Sequence, residues 1–202
     1  MIRSALLAIT LAACSGGSPA PAETTAPLAP PRVASPPPLA PSERGPSIYE
    51  LPVELRDAAD RTIGLDVHRG RPVLVTMFYA SCSIACPLLI SEVARVVDEL
   101  PADVQDDVRV LMISFDPVRD TAAKLATLAR ERKLDDRWTL AVASAPDARA
   151  LAAVLGIRYR ELANGEFAHG STIVALDEEG RPIGRTDALG IREPLQAALI
   201  GL

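Results

Sequence analysis

Pro72-Val73-Leu74-Val75-Thr76-Met77-Phe78-Tyr79 runs directly into Ala80-Ser81-Cys82-Ser83-Ile84-Ala85-Cys86-Pro87. The first octet is almost continuously apolar, the pattern of a strand buried on both faces. Pro87 suits the first turn of a helix, where its missing N–H is not needed. From there Leu89, Val93, Val96, Val97 and Leu100 follow at helical spacing, one apolar stripe on an otherwise polar segment. The stretch therefore reads as strand, short loop, helix. Cys86 falls at the helix start and Cys82 in the loop before it. Partial positive charge at a helix N-terminus favours thiolate over thiol.

Working outward, Leu51–Leu55 and Arg61–Leu65 read as a hairpin around Ala-Asp-Arg. Downstream, Val108–Phe115 is a second buried strand, and Thr121 to about Arg132 a helix. Trp138–Ala143 is a third strand. Ser144-Ala145-Pro146-Asp147 opens a helix that Gly156 stops. Thr172–Leu176 and Pro182–Arg185 flank Asp-Glu-Glu-Gly as a second hairpin, and a helix covers about Ile191–Leu199. Strands that alternate with helices predict an α/β fold: a central, mostly parallel sheet with helices on both faces and an N-terminal β-hairpin. A β-α-β unit followed later by β-β-α is the plan of a thioredoxin-like domain.

The 202 residues suffice for one such domain plus extensions; 49% are apolar, 23% charged and only 3% aromatic. The formal charge is -5, from 21 Lys and Arg against 26 Asp and Glu, so no basic face for nucleic acid is expected. Residues 15–46 hold ten of the eighteen prolines, so they cannot bury a core and read as an extended tether. Before them, Arg3, the apolar stretch Ala5–Ala13 and then Cys14 have the layout of a secretory signal too short to span a bilayer. Leu11-Ala12-Ala13-Cys14 resembles the bacterial lipobox. That resemblance implies a signal peptide over 1–13 and a lipid on Cys14; with the proline content this divides the rest into a tether over 14–46 and a folded domain over 47–202. The lipid would hold the chain at a membrane and the domain would face the periplasm, an oxidising compartment.

The spacing of Cys82 and Cys86 leaves three readings open: a structural disulfide or inert thiols, a redox pair, or two ligands of a soft metal. Of two histidines, His68 lies in a polar connection and reads as a surface residue. His169, in Gly165-Glu166-Phe167-Ala168-His169-Gly170, lies just before the late strand. In a thioredoxin-like sheet that loop sits beside the cysteines; thioredoxins place a cis-proline there, and this chain offers an imidazole. Two thiolates and one imidazole suit Cu(I), and with a further O or N ligand Cu(II). A structural zinc would want a fourth protein ligand.

Phe78-Tyr79-Ala80-Ser81-Cys82, Cys86-Pro87 and Ile113-Ser114-Phe115-Asp116-Pro117-Val118-Arg119-Asp120-Thr121 together resemble the Sco/SenC family over about residues 50–200. The resemblance implies a membrane-anchored periplasmic protein that binds copper through Cys82, Cys86 and His169. Asp116 would support the site from behind. It also implies partners: a copper donor chaperone, a thiol reductant, and the copper-bearing subunit of cytochrome c oxidase, whose dinuclear centre the family helps assemble. The chain departs from the family in Ser83-Ile84-Ala85 between the cysteines, in Ala168 and Gly170 around His169, and in lipid at Cys14 where a transmembrane helix is usual. A thiol–disulfide oxidoreductase acting on a client's cysteines, with Cys82 attacking and Cys86 resolving, is the alternative. Whether the protein is an enzyme turns on that choice.

Overall fold

The computed structural model describes residues 45–82 and 85–202, and of Ala85 only the backbone. The signal, lipid-attachment and tether expectations, Cys14 included, fall almost wholly outside the described residues. Ser47 caps a short 3-10 turn, Ile48–Glu50, whose Ile48 is buried. Strands β1 (Glu54–Asp57) and β2 (Thr62–Gly64) form the expected hairpin. Asp57 closes its turn by accepting the N–H groups of Ala59 and Arg61 at 2.9 and 2.8 Å. β3 (Val73–Phe78) follows, then α1 (Ala85–Asp98), α2 (Ala102–Asp107), β4 (Arg109–Ser114), α3 (Ala122–Glu131), β5 (Trp138–Ala143) and α4 (Ala145–Val154). β6 (Tyr159–Glu161) and β7 (Phe167–His169) make a separate two-stranded sheet. β8 (Ile173–Leu176), β9 (Pro182–Thr186) and α5 (Glu193–Ile200) complete the fold.

The seven strands of the main sheet run β2-β1-β5-β4-β3-β8-β9. Only β3, β4 and β5 are parallel; every other pair is antiparallel. The sheet is therefore mixed rather than mostly parallel. The N-terminal hairpin joins one flank through β1 against β5, and the late hairpin joins the other through β8 against β3. The core is α/β and thioredoxin-like as expected. Every residue of β3 is buried, which requires cover on both faces. The stripe Leu89, Val93, Val96, Val97 and Leu100 is buried beneath α1. At about 25 cal/mol per Å², burying each such side chain stabilises the fold by roughly 1.5–3 kcal/mol before ordering costs.

Two elements escape the sequence reading. No residue of α2 is buried, so it carries no apolar period. β6 and β7 are three residues each, too short to show alternation. His68 also differs: it is half-buried, with Nε2 3.0 Å from the Thr139 hydroxyl, and burial lowers its pKa. An imidazole is small and amphipathic enough to tuck against β5 from a polar loop.

Register decides where chemistry can gather. Phe78 lies opposite Ser114, so the loops that leave β3 and β4 emerge side by side at the carboxyl ends of the parallel strands. β8 runs antiparallel to β3 with Ile173 opposite Thr76. Its entry therefore brings residues 167–172 to the same end, where Thr76 Oγ1 donates to the Thr172 carbonyl at 2.7 Å.

Candidate metal centre

The Tyr79 carbonyl organises the cysteines. It accepts the Cys82 N–H at 3.2 Å and the Cys86 thiol at 2.9 Å, folding both residues toward one point. His169 approaches from the end of β7. It is a strand residue, not the loop residue that the sequence suggests, and β6 pins it opposite Tyr159. Ligand atoms of Cys82, Cys86 and His169 lie within 4.8 Å of one another. Both cysteines stand as thiols.

His169 Nδ1 lies 2.9 Å from the Gly170 carbonyl. A carbonyl only accepts, so Nδ1 carries the proton and Nε2 keeps its lone pair. Nε2 is buried without a hydrogen-bond partner. A buried acceptor left unmatched costs about 1–3 kcal/mol, and a soft metal ion would satisfy it. The donor set of two sulfurs and one imidazole nitrogen fits copper.

Burial overrides the helix terminus at Cys86. The side chain is almost wholly enclosed, and burial pushes its thiol up to about 12 against the stabilising Tyr79 contact. Burial thus opposes the thiolate that the helix N-terminus favours. Half a charge at a helix end cannot offset the desolvation of a full one.

Around this point stands an aromatic wall. His169 meets Tyr79 and Phe115 edge-on, with centroids 5.7 and 5.5 Å away. Phe115 stacks on Tyr159 at 4.4 Å, and Phe167 meets both Tyr79 and Phe115 edge-on. The Tyr79 hydroxyl donates to Glu166 Oε2 at 2.8 Å. Burial, the Glu166 bond and Cys82 all raise its pKa, so the phenol stays neutral.

The Asp116–Thr121 segment braces the site from behind. Asp116 stands apart from the three clustered side chains. Its carboxylate pairs with the guanidinium of Arg119 and accepts that residue's N–H. Arg119 lies over the rings of Tyr79 and Phe167, 5.5 Å from each, and 3.5 Å from Glu166. The Asp116 carboxylate thus reaches the site through Arg119. Buried Asp120 touches the cysteine loop more directly: it accepts the Ala80 N–H and the Ser114 hydroxyl, both at 2.6 Å, and pairs with Lys124 at 3.1 Å. Lys124 in turn donates to the Ser81 hydroxyl. Arg119 and Asp120 sit inside the motif that the sequence singles out, but Asp116 alone was assigned from it. Tyr79 likewise lies inside a motif that carries the resemblance, but no role was assigned to it, and nothing local marks Lys124 or Glu166.

The SCO1/SenC family pattern matches residues 41–200. A Stutzerimonas stutzeri protein named "Putative copper-binding protein" is 33% identical over 89 residues, 44% of this chain and 42% of that one. The match thus spans about two-fifths of that relative's length. Among solved structures, a SCO1/SenC family lipoprotein from Bacillus anthracis aligns at TM-score 0.67 and 17% identity, over 76% of this chain and 95% of its own. Arabidopsis thaliana ScoI with copper bound aligns at 0.64 and 15%, over 76% and 96%. At these identities the structures establish the shared fold.

Proposed function

The chain belongs to the SCO1/SenC family, and from that premise we propose that it is a copper metallochaperone, binding one copper ion through Cys82, Cys86 and His169. The observation that carries this reading is the imidazole of His169, which has a ligand atom within 4.8 Å of both thiols and a buried Nε2 with no hydrogen-bond partner. Three ligands leave a coordination position for a partner's ligand, so the ion can pass by exchange. The client is the copper-bearing subunit of cytochrome c oxidase, as the family resemblance implies, and a donor chaperone supplies the copper. A thiol reductant keeps both cysteines reduced in an oxidising compartment.

The chain is held at the membrane by lipid on Cys14, after removal of residues 1–13. Residues 14–46 tether the domain, residues 47–202, on the periplasmic side. Among the described residues no helix is long and apolar enough to cross a membrane. Mass spectrometry of the membrane-extracted protein, with Cys14→Ala beside it, tests the anchor: a diacylglycerol mass on Cys14 is expected, and an unmodified cysteine refutes it.

The site is tested by titrating Cu(I) into reduced protein under nitrogen against a competing chelator, beside His169→Ala. One tightly bound ion, weakened at least tenfold in the variant, is expected. Equal affinity in both removes His169 from the ligand set. No tight copper, with rapid dithiol–disulfide cycling, transfers the assignment to a thiol–disulfide oxidoreductase.

A further inference from the structure

Beside the metal centre runs a groove of about 670 Å³, and the wall between the two is shared. Phe115, Tyr159 and Phe167 line the groove, and Phe115 and Phe167 also pack on the ring cluster around His169. Ala152 and Ile157 extend the apolar floor, while Val118 projects from the mouth, 88% exposed. A lone exposed valine means little, but one at the lip of an aromatic-floored groove adds to a continuous apolar patch.

The rim is basic, although the whole chain carries a formal charge of -5. Arg149 of α4, Arg158, and Arg160 of β6 all line the groove and are exposed. Among the described residues none of the three makes an ion pair. Arg119 is already committed to Asp116 and Glu166. Among the described residues lining the groove, Glu161 is the one carboxylate besides Asp116 set against these three arginines, of which Arg158 also acts on Asp187 through its charge. Guanidinium groups present forked donors that match carboxylates, and an unpaired cluster of them on an acidic protein selects an acidic partner. β6 also runs along this groove as one strand of a two-stranded sheet, so it offers an edge to an extended chain.

We propose that the groove receives an extended acidic polypeptide segment, bearing at least one large apolar side chain, from the protein that exchanges copper with the adjacent centre. The assignment of that partner rests on the copper reading above. The apolar side chain fills the aromatic floor, the carboxylates meet Arg149, Arg158 and Arg160, and the partner's metal-binding part is thereby held beside His169.

The test uses the full chain and a fluorescein-labelled ten-residue peptide in which Glu alternates with Leu around one Trp. Its counterpart replaces each Glu with Lys. Anisotropy is expected to show saturable binding of the acidic peptide that weakens as salt rises. The variant Arg149→Glu/Arg158→Glu/Arg160→Glu should lose at least tenfold in affinity, and Arg132→Glu, on an exposed remote site, should not. Amide NMR shifts on the wild-type protein should map to residues 115–119, 149–161 and 165–167. This map keeps the test decisive should the triple variant fold poorly. Equal binding of the Lys peptide, no saturable binding, or shifts elsewhere would overturn the proposal. So would binding only to phosphatidylglycerol vesicles, which would make the face a lipid surface. Copper titration runs in parallel with the same preparations. Peptide bound in the groove by a protein that takes up no copper faults the copper reading and leaves the groove standing. Tight, His169-dependent copper with no peptide binding faults the groove alone.

Discussion

The ring of His169 divides its labour between two nitrogens. Nδ1 spends its proton on the Gly170 carbonyl, and Nε2 is left buried without a hydrogen-bond partner. Cys86 is held in the opposite condition, protonated by burial. A thiol must lose its proton to bind metal, so each displaced proton makes copper affinity rise by up to about tenfold per pH unit below the thiol's pKa. Affinity measured from pH 6 to 8 should climb accordingly; a flat profile would mean that Cys86 is not a ligand. The same shift has a stability consequence. Burial pushes the Cys86 thiol of the folded chain up to about 12 from its ordinary 9.0. Its contribution is therefore complete below pH 9 and is lost as pH rises from there toward 12. Metal-free protein should lose stability between pH 9 and 10, and Cys86→Ser, whose buried hydroxyl does not ionise, should flatten that limb in urea melts. Tyr79→Phe removes the hydroxyl's bond to Glu166 and should cost about 1 kcal/mol in the same melts while loosening the histidine hairpin.

At the scale of elements, the loop from Phe115 to Thr121 is the brace on which the cysteine loop rests. Its far end is set by Thr121, which caps α3 by accepting the Lys124 N–H. Asp120, next to it, ties the loop back to Ser114 at its start and to the Ala80 N–H of the cysteine loop. Asp120→Ala strands two buried donors and should cost about 2–4 kcal/mol. Copper affinity should fall with it, because Ala80 is two residues from Cys82. Asp120→Asn keeps an acceptor and should recover much of both, as chemical denaturation and copper titration on the pair would show. Equal losses in the two variants would refute the acceptor role. This brace also marks the limit of what the sequence discloses. Runs such as Val73–Phe78, with all six residues buried, announce themselves because burial on both faces demands apolar residues. The stripe of α1 does so by its period. The hairpin that presents His169 has neither property, so the histidine could be placed near the cysteines only through topology. Helix α2 is silent for the same reason. The reach of Asp116 through Arg119 depends on side-chain directions that no spacing encodes.

Across the whole molecule, strand direction is the feature least visible in the chain. The residues of β1 and β8 do not state whether these strands meet β5 and β3 parallel or antiparallel, and the two hairpins add antiparallel flanks to a parallel trio. That arrangement separates scaffold from site. The loops carrying Cys82 and Asp116–Thr121 gather at the carboxyl ends of β3 and β4, while α5 packs across β9 and β8. The close point of that packing is Gly184 in β9. A Cβ there would lie 2.7 Å from the Ala198 methyl and 2.8 Å from the Pro194 carbonyl oxygen. Gly184 itself has ordinary extended backbone, so a substitution acts through volume alone. Gly184→Ala should lift α5 from the sheet and cost about 1–3 kcal/mol. Ala198→Gly removes one of the two clashes, so the double variant should lose less than the sum of the singles, by an interaction energy that a denaturation cycle measures. Copper affinity should stay within error of wild type throughout, since none of these atoms touches the cysteine loop or the His169 hairpin. A copper affinity that falls in step with stability would instead mean that the C-terminal helix and the metal centre form one cooperative unit.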